Sequence, residues 1–578
     1  MRRYRENRIG LRAGVMGAIF SIWFLVIGAK AVYLQVYCVD WLSQKASSQY
    51  EKSYQTLGKR GSILDRNRRE MAVSIDATSI GAYPGRIEDV GLASVALASA
   101  LCLERKRLAQ KLSSTRSFVW IERQVTPKES NQVRNLKLCG VDFRAEHKRV
   151  YPNRTLSAQL LGFTGVDGHG LEGIEYRFNA YLKGDARKLT MMKDALGRGF
   201  MPEVTQPQSS GGNNLILTLD GTIQYMAENA LQEAVDASRA KSGIAIVMAP
   251  QTGEVLALAH YPLFNPNTFK SFDRWHWRNR AITDPFEPGS TIKMFTAAAA
   301  LEQGGLSPNC LFFCENGTYN IGRHVIHDAH PNDWLSLQQI IKVSSNIGAV
   351  KILEKIGEKA VYDTLRDFGF GEKTAIDCPG ETAGSLAPFD RWTKLDAGAI
   401  AFGQGLSVSA VQLAAGVNAI ANDGVLMKPY TVQAIVDSHG QVVKRFEPQV
   451  VRRAVSRKTA REVRNILKTV VAEGGTGVNA ALEGYAVAGK TGTAQKVDEN
   501  GTYAKGRYVA SFVGMVPADD PVATILVIVD EPEENHYGGQ VAAPAFRKIA
   551  KALLHYLNVP AEPMDNRFTV SRGHEVCG

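Results

Sequence analysis

Residues 13 to 29 are uncharged and mostly apolar, and five arginines precede them (Arg2, Arg3, Arg5, Arg8 and Arg12) against a single acid, Glu6. No other feature limits the chain so strongly. Seventeen residues is the short end of a membrane-spanning helix and too long for the apolar core of a typical signal peptide. Ala29-Lys30-Ala31 resembles a cleavage site, so a signal peptide is the competing reading. The apolar pattern continues through Val32, Tyr33, Leu34 and Val36, which favours an uncleaved anchor over residues 13–37. The positive-inside rule then keeps residues 1–12 in the cytoplasm and places the remainder of the chain beyond the membrane. Whatever folds must be built from residue 38 onward.

That remainder is long enough for more than one domain. With 45% hydrophobic and 22% charged residues it has the composition of folded protein. The net charge of +11 is partly the arginine cluster, and no nucleic-acid motif accompanies it. A solvated basic surface explains it, and no nucleic-acid partner is expected. Seven cysteines form no disulfide framework. Cys310 and Cys314, followed by His324, His327 and His330, invite a zinc reading. Their spacing fits no standard finger, and ordinary loop and strand positions are the better reading. No metal and no cofactor is expected.

Residues 38 to about 58 read as a polar, partly helical stalk. From there to residue 205 short strands, helices such as 89–103 and Gly/Pro turns alternate, giving a mixed α/β pedestal over 38–205. "QPQSSGGNN" (206–214) reads as a linker. A second domain, 215–560, begins at "LILTLD" and continues into an amphipathic helix to about Ala240. "GIAIVMAPQTGEVLALAHYP" predicts a hairpin turning at Gln251-Thr252-Gly253. A helical region fills roughly 290–470, and "YAVAGKTGTAQK", "YVASFVGMVP" and "VATILVIVD" predict three more strands before a final helix, "PAFRKIAKALLHYL". Strands at both ends with helices between them predict an α+β fold with one antiparallel sheet assembled from distant segments. Residues 561–578 read as a loose polar tail.

Within this second domain three short motifs fall in order: Ser290-Thr291-Ile292-Lys293, Ser344-Ser345-Asn346 and Lys490-Thr491-Gly492-Thr493. Ser-x-x-Lys alone arises by chance about twice in a chain of this length, and Lys-Thr-Gly in about one chain in eight or ten. Singly, Ser290 is a helix cap, Lys293 a surface cation and Ser344 a helix boundary. Jointly they make a reaction centre. Ser290 and Lys293, three apart at the start of an alanine-rich helix, share a face. Ser290 needs a base, because a hydroxyl is a poor nucleophile at neutral pH. Lys293 serves only if neutral, which burial and a second cation, Lys490, encourage. Ser344 could pass the proton to the leaving amine, and Asn346 could hold the substrate amide. Backbone N–H groups at Ser290 and Thr493 suit an oxyanion hole. Gly492 admits close approach of substrate backbone, while Lys490 and Thr493 together suit a terminal carboxylate. Which group is the acylation base stays open.

The trio is that of β-lactamases and penicillin-binding proteins, and the chain resembles a class B penicillin-binding protein of the FtsI type. "RGSILDRNRREMAVS" (60–74), "RVYPNRTLSAQLLGFTGVDGHGLEGIE" (149–175) and "FGQGLSVSAVQLA" (402–414) extend the resemblance over nearly the whole chain. Arg68 departs from it, standing where a glycine is common. Asp65 and Arg66 read as a structural ion pair at the domain junction. The resemblance implies a DD-peptidase/β-lactamase-like domain with Ser290, Lys293, Ser344 and Lys490 catalytic and Asn346, Thr491, Gly492 and Thr493 binding substrate. It implies a single-pass protein of the bacterial inner membrane with its catalytic domain in the periplasm. It also implies peptidoglycan stem peptides ending in D-Ala-D-Ala as substrate, β-lactams as inhibitors, and an FtsW-type glycan polymerase and other division proteins as partners.

After acylation the acceptor decides the reaction. No Glu between Asn346 and Lys490 is followed four residues later by Asn, so the water-activating motif of class A β-lactamases is missing. That favours an acyl-enzyme captured by an amine, hence D,D-transpeptidation in septal wall synthesis. The alternatives are a DD-carboxypeptidase, a β-lactamase with other deacylation machinery, a lateral-wall transpeptidase, and a membrane-anchored β-lactam sensor or scaffold.

Overall fold

The computed structural model describes residues 2–184, 186–193, 199–200, 211–498, 500 and 502–561. Most of the expected linker (206–210) and the tail from residue 562 lie outside them. Two compact units are distinguishable, one of Met1–Gly58 with Asp185–Ser210, the other of Lys59–Gly184 with Gly211–Gly578.

In the first unit, helix α1 (Arg2–Val32) runs into a π-helical turn, Tyr33–Tyr37. Ile9–Tyr37 is long and apolar enough to cross a membrane, and none of it is covered by protein. A helix over Val39–Tyr50 and a strand over Glu51–Leu57 follow, the strand pairing antiparallel with Ala186–Lys193.

In the second unit Asp220 opens helix α2 (Gly221–Ala237) by accepting the N–H groups of Thr222 and Ile223. Five strands then form one sheet: β1 (Ser242–Met248), β2 (Val255–Tyr261), β3 (Ala488–Val497), β4 (Tyr503–Val516) and β5 (Ala523–Asp530), in the order β2-β1-β5-β4-β3 and antiparallel throughout. Both faces are covered, which is why these strands read as continuous apolar runs rather than alternating ones. Ala245, Val247 and Val527 pack on one face with Ile223, Leu231, Phe546 and Leu553, from α2 and the final helix. Their neighbours Ile246, Leu526 and Ile528 belong to the core on the opposite face, with Phe295 and Val417 from the inserted helical region.

The expected region of helices at 290–470 also contributes strands, and one of them ties the two halves of this unit together. Val432–Val436 pairs antiparallel with Asn214–Leu217, which pairs in parallel with Ile63–Leu64. A seven-stranded sheet therefore runs from the N-terminal part of the unit into the part carrying the three motifs. Gly212 and Asn213, inside the expected linker, are hydrogen-bonded to the carbonyls of Lys59 and Tyr181.

The same junction corrects one local expectation. Asp65 and Arg66 do not pair with each other, because adjacent residues diverge at this turn. Fully buried Asp65 accepts the N–H groups of Asn67, Arg69 and Gly221, while Arg66 reaches Glu254 at 3.5 Å. Arg68 adopts φ 62°, the conformation for which glycine is the easier residue. Deeper in, Glu175 is fully buried and takes Arg60 Nε at 2.7 Å, Arg149 Nε at 2.6 Å and the Tyr151 hydroxyl at 3.2 Å.

Candidate active site

Ser290 sits in a 3-10 turn, Gly289–Ile292, that leads directly into helix α3 (Lys293–Glu302). In a 3-10 turn residues i and i+3 eclipse, so Ser290 and Lys293 share a face more closely than in an α-helix. Thr291 fixes the turn by donating to the Pro288 carbonyl at 2.8 Å. The turn is clasped from two sides. Gly289 N–H donates to the Gly403 carbonyl, and Phe286 and Val408 exchange backbone hydrogen bonds, so "FGQGLSV" lies against the entry to the helix. On the other side stands β3, the edge strand carrying Lys490 to Thr493. A β-carbon on Gly492 would lie 2.3 Å from Ser511 Oγ, 2.9 Å from Thr291 Cγ2 and 3.1 Å from the Pro288 carbonyl oxygen. Only glycine lets strand and turn meet here.

The second motif joins helices α4 (Leu337–Val343) and α5 (Asn346–Ile356). Ser344 terminates α4 in the left-handed conformation, φ 64° and ψ 40°, a strained choice for a residue with a β-carbon. That conformation turns its hydroxyl and its carbonyl toward the lysines. Lys293 Nζ donates to the Ser344 carbonyl at 2.6 Å, to Asn346 Oδ1 at 2.7 Å and to Ser344 Oγ at 3.3 Å. Lys490 Nζ arrives from β3 and donates to Ser344 Oγ at 2.9 Å, and to Thr491 O and Thr491 Oγ1 at 3.2 and 3.4 Å. Two lysines thus converge on one serine hydroxyl, and both are fully buried.

Burial disfavours the charged form of each. Desolvation lowers the Lys293 pKa to about 7, opposed by the charge of Asp328. Lys490 is held well below its ordinary value, first by desolvation and then by the charge of Lys293. Burial is the larger influence on both lysines, and on Lys490 repulsion from Lys293 adds to it.

The remaining motif residues also fall here. Thr493 Oγ1 accepts the Gly538 N–H at 3.3 Å, and the Thr491 hydroxyl is shared with Thr476 at 2.9 Å. Among the described residues the Ser290 hydroxyl makes no hydrogen bond, so Lys293 rests on Ser344 and Asn346 rather than on Ser290. An open groove of about 410 Å³, lined by Phe286, Glu287, Gly405, Ser407, Gln495 and Val497, extends along β3 beyond Thr493.

Three residues were not foreseen. Asp328 accepts the N–H groups of Asn346 and Ile347, Thr476 holds Thr491, and Glu287 accepts the Gly405 N–H at 2.9 Å. None carries a local sequence signal, since each meets the motifs only through tertiary packing. Among the described residues no group of three or more His, Cys, Asp or Glu side chains is arranged to hold a metal. His324 and His327 are exposed on a hairpin, while Cys314 is buried against the Phe312 carbonyl.

Residues 243–551 match the family model for the penicillin binding protein transpeptidase domain, and residues 55–217 that for the penicillin-binding protein dimerisation domain. The chain is 34% identical over 556 residues to the probable peptidoglycan D,D-transpeptidase PenA of Neisseria gonorrhoeae, covering 94% of this chain and 92% of the relative. It is 32% identical over 589 residues to the peptidoglycan D,D-transpeptidase FtsI of Escherichia coli K12, covering 99% and 97%. Among solved structures, penicillin binding protein 3 of Mycobacterium tuberculosis complexed with aztreonam superposes with a TM-score of 0.70 at 30% identity, over 88% of this chain and 98% of that one.

Proposed function

The chain belongs to the penicillin-binding protein transpeptidase family and is a serine-type peptidoglycan D,D-transpeptidase, and we propose that Ser290 is its nucleophile and septal wall synthesis its task. The observation that carries the assignment of residues is the meeting of two buried lysines on the Ser344 hydroxyl, beside the turn that presents Ser290.

In this reading Ser290 Oγ attacks the carbonyl between the last two D-alanines of a stem peptide. Lys293, whose pKa of about 7 leaves a large neutral fraction at physiological pH, takes the proton. Ser344, hydrogen-bonded to both lysines, passes a proton to the departing D-alanine amine. The N–H groups of Ser290 and Thr493 face the developing oxyanion. Lys490, Thr491 and Thr493 bind the terminal carboxylate, Asn346 the substrate amide, and Gly492 leaves room for the substrate backbone against β3. The acyl-enzyme then passes to the amine of a second stem peptide, or is trapped when the acyl donor is a β-lactam. The groove along β3 is open to an extended peptide.

The apolar helix and the FtsI-type relatives fit a single-pass protein of the inner membrane. A periplasmic catalytic domain is supported by the arginines before the helix, through the positive-inside rule. The septal role, an FtsW-type glycan polymerase and other division proteins as partners rest on the likeness to FtsI.

Incubating the detergent-solubilised full chain with a penicillin, followed by intact mass and peptide mapping, tests the nucleophile. A single stable adduct on Ser290, lost in Ser290→Ala, is expected; absence of an adduct on folded protein refutes the assignment. Transfer of the acyl group from a thioester stem-peptide mimic to a D-amino acid separates a transpeptidase from a carboxypeptidase, which releases free acid, and from a sensor, which releases nothing. Depletion in cells is expected to give filaments; rounded cells would assign a lateral-wall role.

A further inference from the structure

The excursion between residues 314 and 330 has no place in the steps above, yet it delivers a carboxylate to the back of the site. It is a hairpin, Thr318–Ile321 against His324–His327, and Asp328 follows directly. The Asp328 carboxylate accepts the backbone N–H of Asn346 and of Ile347, the latter at 3.0 Å, and the Ser345 hydroxyl donates to its other oxygen. Ser345 itself caps α5 by accepting the Gly348 N–H at 2.8 Å. The first turn of α5 is therefore capped twice, once by Ser345 and once by the residue that follows the hairpin. Asn346 is tied to the same hairpin through its amide, which donates to the His327 carbonyl at 3.0 Å. These contacts fix the left-handed Ser344 and the Asn346 side chain, whose oxygens are the two short acceptors of Lys293.

We propose that Asp328 is a positioning residue of the acylation step: its carboxylate holds the Ser344–Asn346 turn in register with Lys293 and sets an anion facing that lysine. This rests on the reading of Lys293 as the base. The charged groups facing Lys293 are Asp328 from the hairpin and Lys490 from β3. Behind Asp328 stand the Cys314 thiol and Lys351 of α5, the latter already paired with Glu315 at 3.1 Å and Glu354 at 3.8 Å. His324, His327 and His330 point to solvent. The net effect of burial and Asp328 is opposed: burial drives the proton off, Asp328 holds it on.

The test is the rate of acylation of the full chain by a chromogenic cephalosporin between pH 5.5 and 9. Asp328→Asn keeps an oxygen for the backbone N–H groups and removes the charge. Wild type is expected to lose rate as pH falls through about 7, a limb that belongs to the coupled lysine pair. In Asp328→Asn that limb moves to lower pH by about one unit, within the range for loss of a neighbouring opposite charge, with a reduced plateau. Ser345→Ala weakens the clamp and keeps the charge, so its plateau falls while the limb stays. Asp328→Glu, which restores the charge, returns the limb to its wild-type position. A limb present in wild type and unmoved in Asp328→Asn overturns the role of the charge, as does an equal shift in Ser345→Ala. If Asp328→Asn does not fold, the Ser345→Ala and Asp328→Glu profiles decide: a limb displaced in both overturns the proposal. A flat wild-type profile removes Lys293 as the base and this proposal with it.

Discussion

Removing the hydroxyl on which both lysines converge separates its chemical role from its structural one. In Ser344→Ala, Lys293 keeps its two short acceptors, the residue 344 carbonyl at 2.6 Å and Asn346 Oδ1 at 2.7 Å. Lys490 loses its shortest, at 2.9 Å, and keeps only Thr491 O and Oγ1 at 3.2 and 3.4 Å. The structural loss therefore falls mainly on this charge-assisted hydrogen bond, about 1.5–3 kcal/mol, with the longer 3.3 Å contact from Lys293 lost beside it. It belongs at the lower end, because a lysine already disfavoured as a cation can shed its proton instead. The catalytic loss is larger. Deleting a positioned proton carrier costs about 10²–10⁴ in rate, equivalent to about 3–5.5 kcal/mol of barrier. Stopped-flow acylation by a chromogenic cephalosporin reads the second quantity, and the urea midpoint of the same preparation reads the first. A rate within about threefold of wild type on folded protein would refute the proton-carrying role, whatever the midpoint shows.

Glu175→Gln leaves Arg60 and Arg149 buried without a counter-charge, and about 3–5 kcal/mol of stability should be lost, seen as a lower denaturation midpoint while the folded fraction still binds penicillin at Ser290. Gly492→Ala places a β-carbon against Ser511, Thr291 and Pro288, so acylation should fall by about tenfold or more through misplacement of turn and strand, with little change in secondary structure by circular dichroism. Both buried lysines bind protons more weakly folded than unfolded. Between the folded value of about 7 for Lys293 and its ordinary 10.5 the unfolded chain holds the extra proton. Stability must therefore rise with pH across that window, by up to about 1.4 kcal/mol per pH unit for each group. Lys293→Met should flatten the slope of denaturation midpoint against pH.

What could be read from the sequence was what is written locally. The hairpin around Gln251, the three late strands and the last helix announce themselves by apolar runs and turn residues, and the structure forms them as β1 to β5 and the helix Ala543–Tyr556. The three motifs were legible because each is a short string, and the structure brings Lys293, Ser344, Asn346 and Lys490 into hydrogen-bonding reach. Asp328 was not legible, since an aspartate sixteen residues before Ser344 says nothing until a hairpin folds back. The sheet shared by Asn214–Leu217, Ile63–Leu64 and Val432–Val436 escaped notice because pairing partners leave no mark on one another in a single sequence. Asp65 and Arg66 misled by adjacency: opposite charges side by side suggested a pair, whereas the backbone sends them to different partners.

The order of strands in the five-stranded sheet sets a timetable for the newborn chain. β1 finds β2 almost at once, but its other edge waits for β5, which starts at Ala523, some 275 residues after Met248. At about 5–20 residues per second of synthesis, that edge stays open for roughly 15–55 s. The serine-bearing turn, for its part, stands without the strand that supplies its second lysine until residue 490 is made. A ribosome stalled between residues 290 and 490 therefore leaves in the membrane a tethered chain that has Ser290 but no Lys490, and whose unpaired β1 edge can capture another strand. The centre is not complete until Lys490, in the last fifth of the chain, has emerged.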